Sequence, residues 1–244
     1  LIDYTPELRA EAIKIVSPYR MGSLFMPPTV AEPGPGGKKG SIIIGTAATA
    51  YNGASFDPET GILYVTSVHN PKIMEMIKAP EPNPQNEWII AGTSNMGPGV
   101  FLHGPQGLPD PFKPPYGRLV AVDLNKGEIK WSVANGEGPR NHPALKALNL
   151  PRLGQPGRVA TMVTKTMVFL GEGGNEGVGG VPPTAGGKIF RAYDKASGDV
   201  LWETELPGGT TTAPMTYMAN GKQYIVVAAG WKGVPGELIA LALP

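Results

Sequence analysis

Two aspartates, three histidines, a glycine-rich loop and a glycine-flanked tryptophan are the residues whose type and spacing invite a chemical role. Asp123 and Asp194 each stand four residues ahead of a glycine, in Ala121-Val-Asp123-Leu-Asn-Lys-Gly127 and Ala192-Tyr-Asp194-Lys-Ala-Ser-Gly198. A carboxylate could act as a base. An Asp at this place in a turn instead accepts neighbouring backbone N–H groups, so the spacing predicts a structural role. His69, His103 and His142 each lie within two residues of Pro or Gly and lack the spacing of metal ligands, so they read as loop residues. The Gly171–Gly177 segment is glycine-rich, but Val181-Pro182-Pro183 stands where a helix would have to follow, which argues against a dinucleotide or phosphate loop. No nucleophile–base pair can be assigned from spacing, so no catalytic residue and no metal ligand is assigned. Trp231 stands between Gly230 and Lys232-Gly233, a setting that does not read as core; ligand contact and ordinary packing both fit it.

The elements that must position these residues announce themselves by repetition. Residues 121–131 and 192–202 share Ala, Asp, Gly and Trp at the same offsets, ending on Trp131 and Trp202. Each copy reads as strand, tight turn, strand. An internal repeat of such a unit predicts stacked sheets, as in the blades of a propeller, with both indoles buried between sheets. Further strands are predicted at 41–45, 54–57, 62–67, 159–163, 167–170, 188–194, 213–218, 223–229 and 238–243, with Asn220-Gly221 as a hairpin turn. Residues 5–19 read as a helix, with Thr5 as N-cap, Pro6 at its first position and Leu8, Ala12, Ile15 and Tyr19 on one face. Two regions follow: 1–40, a helix and Pro/Gly-rich connector, and 41–244, the partial propeller. The proline-rich stretch 69–116 has no clear period and is expected to form a long loop.

Bulk composition agrees. The 34 glycines and 27 prolines make up about a quarter of the 244 residues, and with 41% apolar residues this indicates many turns between short strands rather than disorder. A net charge of +1 with scattered basic residues offers no footprint for nucleic acid or an anionic membrane. No apolar run is long enough to span a bilayer. The absence of cysteine excludes disulfides and thiolate metal sites. The first residue is Leu1 and the last eight residues read as a final strand, so a chain lacking an N-terminal part is expected.

Three stretches together resemble the C-terminal portion of the pyrroloquinoline-quinone (PQQ) dependent glucose and alcohol dehydrogenases. They are Phe56-Asp-Pro-Glu-Thr-Gly-Ile-Leu-Tyr-Val65, the paired Ala-x-Asp…Gly…Trp repeats, and Ala213-Pro-Met-Thr-Tyr217 with Gly221-Lys-Gln-Tyr-Ile-Val-Val-Ala-Ala229. Residues 138–146 with 150–157 resemble a glucose-dehydrogenase-like branch. The resemblance implies an all-β fold: a partial β-propeller, about half of an eight-bladed quinoprotein ring, with a short N-terminal helix. It implies oxidation of a sugar or alcohol hydroxyl by hydride transfer to the quinone, with PQQ and Ca²⁺ as cofactors of a longer parent and a periplasmic location. By the same resemblance Gly230 and Trp231 lie against the quinone, Arg158 meets a cofactor carboxylate, and Asn52 stands near a cofactor-contacting Asn, although Ala50-Tyr51 departs from the family's Asn-Trp pair. No stretch matches the family's Ca²⁺ ligands or proton acceptor, so the chain alone is expected to be inactive, its partners being the remaining blades or a second chain. The alternative is a non-catalytic propeller serving as an interaction scaffold.

Overall fold

The computed structural model describes residues 1–23, 26–32, 35, 37–44, 53–69, 71–79, 86–91, 102–174, 186–210, 212–231 and 233–242. Its elements run α1 (Pro6–Val16), β1 (Thr29–Val30), β2 (Ser41–Ile44), β3 (Ser55–Asp57), β4 (Ile62–Val68), β5 (Pro71–Lys78), β6 (Trp88–Ala91), β7 (Gly117–Asp123), β8 (Glu128–Ala134), β9 (Met162–Val163), β10 (Met167–Leu170), β11 (Ile189–Asp194), β12 (Val200–Glu205), β13 (Met215–Ala219), β14 (Lys222–Trp231) and β15 (Val234–Ala242). They fall into two compact units: Leu1–Thr46, Asn70–Pro114 and Asn141–Asn149 form one, and Ala47–His69, Pro115–Arg140 and Leu150–Pro244 the other.

In the first unit the hydroxyl of Thr5 accepts the Leu8 N–H at 3.2 Å, which caps α1 as its sequence predicts. The helix stops at Val16 rather than at residue 19. Pro18 has no N–H to give to the carbonyl of Lys14, and the Ser17 hydroxyl takes that acceptor at 3.0 Å instead. Leu8, Ala12 and Val16 form the buried face; Val16 joins Ile42 and Leu102 in a small core, against which Ile73 and Phe112 pack. The stretch 69–116, predicted as loop, contains two strands, β5 and β6, among its described residues. β5 pairs antiparallel with β2 and β6 and parallel with β1. Pro71 occupies the first position of β5, where a missing donor is tolerated, and β5 is partly buried throughout most of its length, so its pattern lacks alternation.

The second unit is three stacked antiparallel sheets. Their strand orders are β3-β4-β7-β8, β9-β10-β11-β12 and β13-β14-β15. Strand β4 shows why they stack: Ile62, Tyr64, Thr66 and Val68 are buried while the residues between them are less so. Ile62, Tyr64, Leu119 and Ala121 of the first sheet share a core with Val168, Leu170 and Tyr193 of the second. Phe169, Phe190, Ala192 and Leu206 of the second meet Val227 and Ala229 of the third.

The two repeats have the same construction. Ala121 stands opposite Trp131, and Ala192 opposite Trp202, each beside a register shift. Asp123 accepts the N–H groups of Asn125 and Lys126 at 3.0 and 3.3 Å, and Asp194 those of Ala196 and Ser197 at 2.8 and 2.9 Å. Those bonds hold the Asp194 carboxyl below its ordinary range. Both aspartates are turn formers, as expected. Gly127 and Gly198 have φ of +71° and +82°, a region that disfavours a side chain.

The indoles differ. Trp131 is half-buried and packs on the core between the first two sheets, whereas Trp202 is 44% exposed. The expectation that both are buried is therefore corrected for Trp202. Trp131 rests on Gly198, in the turn between the third and fourth strands of the next sheet. The third sheet has three strands among the described residues, none of whose turns takes the place over Trp202 that Gly198 takes over Trp131.

Candidate functional site

The site is built where β14 ends. Val227 and Ala229 pack on the second sheet, and the register then shifts between Ala229 and Trp231. Gly230 occupies that irregularity. Its N–H donates to the Gly209 carbonyl at 2.9 Å. Its neighbours are also backbone: a Cβ on Gly230 would lie 2.8 Å from the Cα of Gly236, and one on Gly208 would lie 2.7 Å from the Cα of Gly230. Three chain segments therefore meet at glycine, and a methyl group at Gly208 or Gly230 would force them apart.

Beside this junction lies an open groove of about 450 Å³, lined among others by Gly209, Gly230, Trp231, Gly236, Glu237 and Leu238. A Cβ on Gly236 would meet nothing within 4 Å, so that glycine faces open space. Trp231 supplies an aromatic wall, and the Nζ of Lys188 stands 5.4 Å from the centroid of its ring. A flat groove with a π-face and exposed backbone suits a planar ligand.

Of the residues singled out from sequence, Gly230 and Trp231 come together here. Arg158 is not among the residues that line this groove. Asn52, with Ala50 and Tyr51, lies outside the described residues. Lys188, Gly208, Gly209 and Glu237 were not legible as site residues. The Gly208-Gly209 pair after β12 was a signal for close backbone approach; Lys188 had none, since only folding carries it to Trp231.

A polar network centred on the buried Arg191 ties the second sheet to neighbouring loops. Arg191, 1% exposed, donates to Glu172 at 2.7 Å and to Glu203 at 3.0 Å. Arg152 extends the network to Glu137 and Glu203 at 2.7 and 3.0 Å. The Tyr193 hydroxyl donates to Asn135 at 2.8 Å, and Asn135 donates to the Gly171 carbonyl at 2.9 Å. Burial pushes Tyr193 up to about 12, so it remains a donor. Burial, with a smaller contribution from Arg118, pushes His69 down to about 4 and keeps it neutral near pH 7. His142 accepts the Ala144 N–H at 3.2 Å. Among the described residues no three His, Asp or Glu side chains are grouped to hold a metal ion.

The family model for the glucose/ethanol/alcohol dehydrogenase β-propeller domain of PQQ enzymes matches residues 1–225. The chain belongs to the PQQ-dependent dehydrogenase family. Its stacked sheets are part of that family's β-propeller. The glycerol dehydrogenase large subunit of Gluconobacter oxydans is 29% identical over 257 residues, covering 90% of this chain and 31% of that protein. Quinoprotein glucose dehydrogenase A of Acinetobacter calcoaceticus is 30% identical over 210 residues, covering 80% of this chain and 24% of its own length. Among solved structures, the quinohemoprotein alcohol dehydrogenase of Comamonas testosteroni is 24% identical and covers 80% of this chain and 26% of its own, with a TM-score of 0.49. The chain thus spans less than a third of the length of these relatives. Among the described residues no helix is long and apolar enough to cross a membrane.

Proposed function

We propose that this chain contributes one wall of the cofactor site in a periplasmic PQQ-dependent dehydrogenase that oxidises a sugar or alcohol hydroxyl. The observation that carries this reading is the indole of Trp231 standing beside a groove edged by glycine backbone. PQQ is flat and anionic. The indole suits its ring, Gly230 and Gly236 leave no side chain in its way, and the guanidinium of Arg158 suits a carboxylate. PQQ, when bound, supplies the two-electron acceptor for the hydride. The residues of this chain then bind and orient. Trp231 excludes water from one face, the Gly208–Gly230–Gly236 junction keeps that face rigid, and Arg158 carries the complementary charge. Asn52 is proposed as a further contact from the family pattern. Ca²⁺ needs several oxygen ligands, and the described residues hold no group of three or more Asp, Glu or His side chains to supply them.

The missing Ca²⁺ set and proton acceptor belong, on this reading, to other blades in the parent or a second chain. The purified 244-residue chain should therefore bind PQQ weakly and turn over neither glucose nor simple alcohols in a dye-linked assay with PQQ and Ca²⁺ added. Quenching of tryptophan emission on PQQ titration, lost in Trp231→Leu, tests the wall. PQQ-dependent turnover by the isolated chain would show that the active site had been misassigned.

A further inference from the structure

We propose that Lys188 is a positioning residue for Trp231: its ammonium group sets the orientation of the indole in the groove and thereby the strength with which that indole stacks on a planar ligand. This inference rests on the reading of Trp231 as a cofactor wall.

The need for such a residue follows from the backbone. Trp231 is preceded by Gly230 at a register shift and followed two positions later by Gly233, whose φ of +84° lies in the left-handed region. The glycine junction and the pairing with Val234 hold the Trp231 backbone, but they leave the side-chain torsions of the indole unset. The indole is only half-buried, so packing does not fix it either. Its ring does have a cation 5.4 Å from its centroid, within the range in which an ammonium group is drawn to the π-face.

Lys188 is itself well anchored. Its carbonyl accepts the Leu206 N–H at 2.9 Å, and the next residue begins β11, paired with Glu205. Its ammonium also stands 3.9 Å from the carboxylate of Glu205. That pair is long and its side chains are 38% and 68% exposed, so it is screened and weak. Lys188 is therefore placed by the second sheet and reaches an aromatic ring carried by the third. Through that ring the second sheet sets the geometry of a groove to which Lys188 adds no lining.

The experiment compares the wild-type chain with Lys188→Met, Lys188→Arg and Trp231→Phe. Subtracting the Trp231→Phe emission spectrum from each isolates the indole at 231. Without ligand, Lys188→Met should shift this difference spectrum, and Lys188→Arg, which keeps a cation, should restore it. On PQQ titration Lys188→Met should bind about two- to five-fold more weakly, and Lys188→Arg should bind like wild type. An unchanged difference spectrum in Lys188→Met overturns the inference whatever PQQ does. A shifted spectrum with equal PQQ affinity also overturns it, while leaving the cofactor reading intact. If wild type binds no PQQ, the cofactor reading fails, and the ligand-free spectra alone support or overturn Lys188 as the residue that orients the indole.

Discussion

The indole of Trp131 lies on the backbone of Gly198: a Cβ added to that glycine would come within 2.9 Å of the ring. The tryptophan belongs to one repeat and the glycine to the next, so the repeat couples neighbouring sheets as well as shaping each hairpin. Val133 reaches the same spot, 3.0 Å from such a Cβ. The relationship is directional. A Cβ on Gly127, at the same place in the first repeat, would meet nothing within 4 Å, and Trp202 is 44% exposed.

This asymmetry should appear in stability. Trp131→Ala should cost about 3 kcal/mol, near the lower end for a packed aromatic, and Trp202→Ala only about 1 kcal/mol. Gly127→Ala meets only the unfavourable left-handed backbone, at about 1 kcal/mol. Gly198→Ala meets that strain and the indole together, and should cost at least about 2 kcal/mol. Urea midpoints of the four variants decide it; equal losses at the two tryptophans would refute directional docking.

Asp57 and Lys195 form a second tie between the first two sheets, at 2.7 Å, with both side chains largely buried. The lysine, then Thr60, holds the Asp57 carboxyl below its ordinary value of 3.8. A depressed carboxyl stabilises the fold above its unfolded value, and that stabilisation is lost as the pH falls through the folded one. Lys195→Met should cost about 2–3 kcal/mol at pH 7, because it leaves a buried carboxylate without its counter-charge, held only by the Thr60 hydroxyl and the Glu59 N–H. Asp57→Asn/Lys195→Met should cost less than Lys195→Met alone and should flatten stability below pH 4; chemical denaturation across pH measures both.

Asp110 behaves in the opposite sense. Burial pushes it from 3.8 up to about 7, although it accepts the Phe112 N–H at 2.6 Å. The folded state then holds a proton that the unfolded state has released. Stability should fall as pH rises from about 4 to 7 and level off above, by an amount on the order of 4 kcal/mol. Asp110→Asn should remove that slope and be the more stable protein at pH 8. A parallel pH profile for both proteins would exclude the effect.

Two glycines at the groove should separate folding from binding. Gly230→Ala drives a methyl group into the Gly236 backbone and should destabilise by about 1–3 kcal/mol. Gly236→Ala points a methyl group into open space, so its melting temperature should barely change while PQQ binding weakens. Thermal melts beside fluorescence titrations give both readings; a fully retained affinity in Gly236→Ala would move the ligand out of this groove.

The local elements were legible because their causes are local. The Thr5-Pro6 helix start, the Asp and Gly of the two repeat turns, and the Asn220-Gly221 hairpin all follow from backbone chemistry within a few residues. Most strand boundaries fell within two residues of those observed. β5 and β6 were not legible, since a mostly half-buried strand without alternation, beginning on proline, has no period to read. The β9 prediction over 159–163 overshot for a related reason. Val159 and Thr161 are buried like strand residues, but their polar groups are engaged elsewhere: the Val159 carbonyl accepts the Thr66 hydroxyl at 2.9 Å, and the Thr161 hydroxyl donates to the Tyr64 carbonyl at 3.1 Å.

The sequence by itself determined that this chain is a run of β-hairpins with a propeller's repeat, and it singled out Gly230 and Trp231 by their types. Only the tertiary structure decided what those residues meet. Gly230 needs to be glycine because Gly208, from the loop after β12, and Gly236, from β15, pack against it. Trp131 and Trp202 share one motif and differ in burial, because the turn at Gly198 covers Trp131 and no described turn covers Trp202 in the same way. Lys188 reaches Trp231 across two sheets. Each of these is a contact between segments distant in the chain, and such contacts are set by how sheets stack, not by the preferences of neighbouring residues.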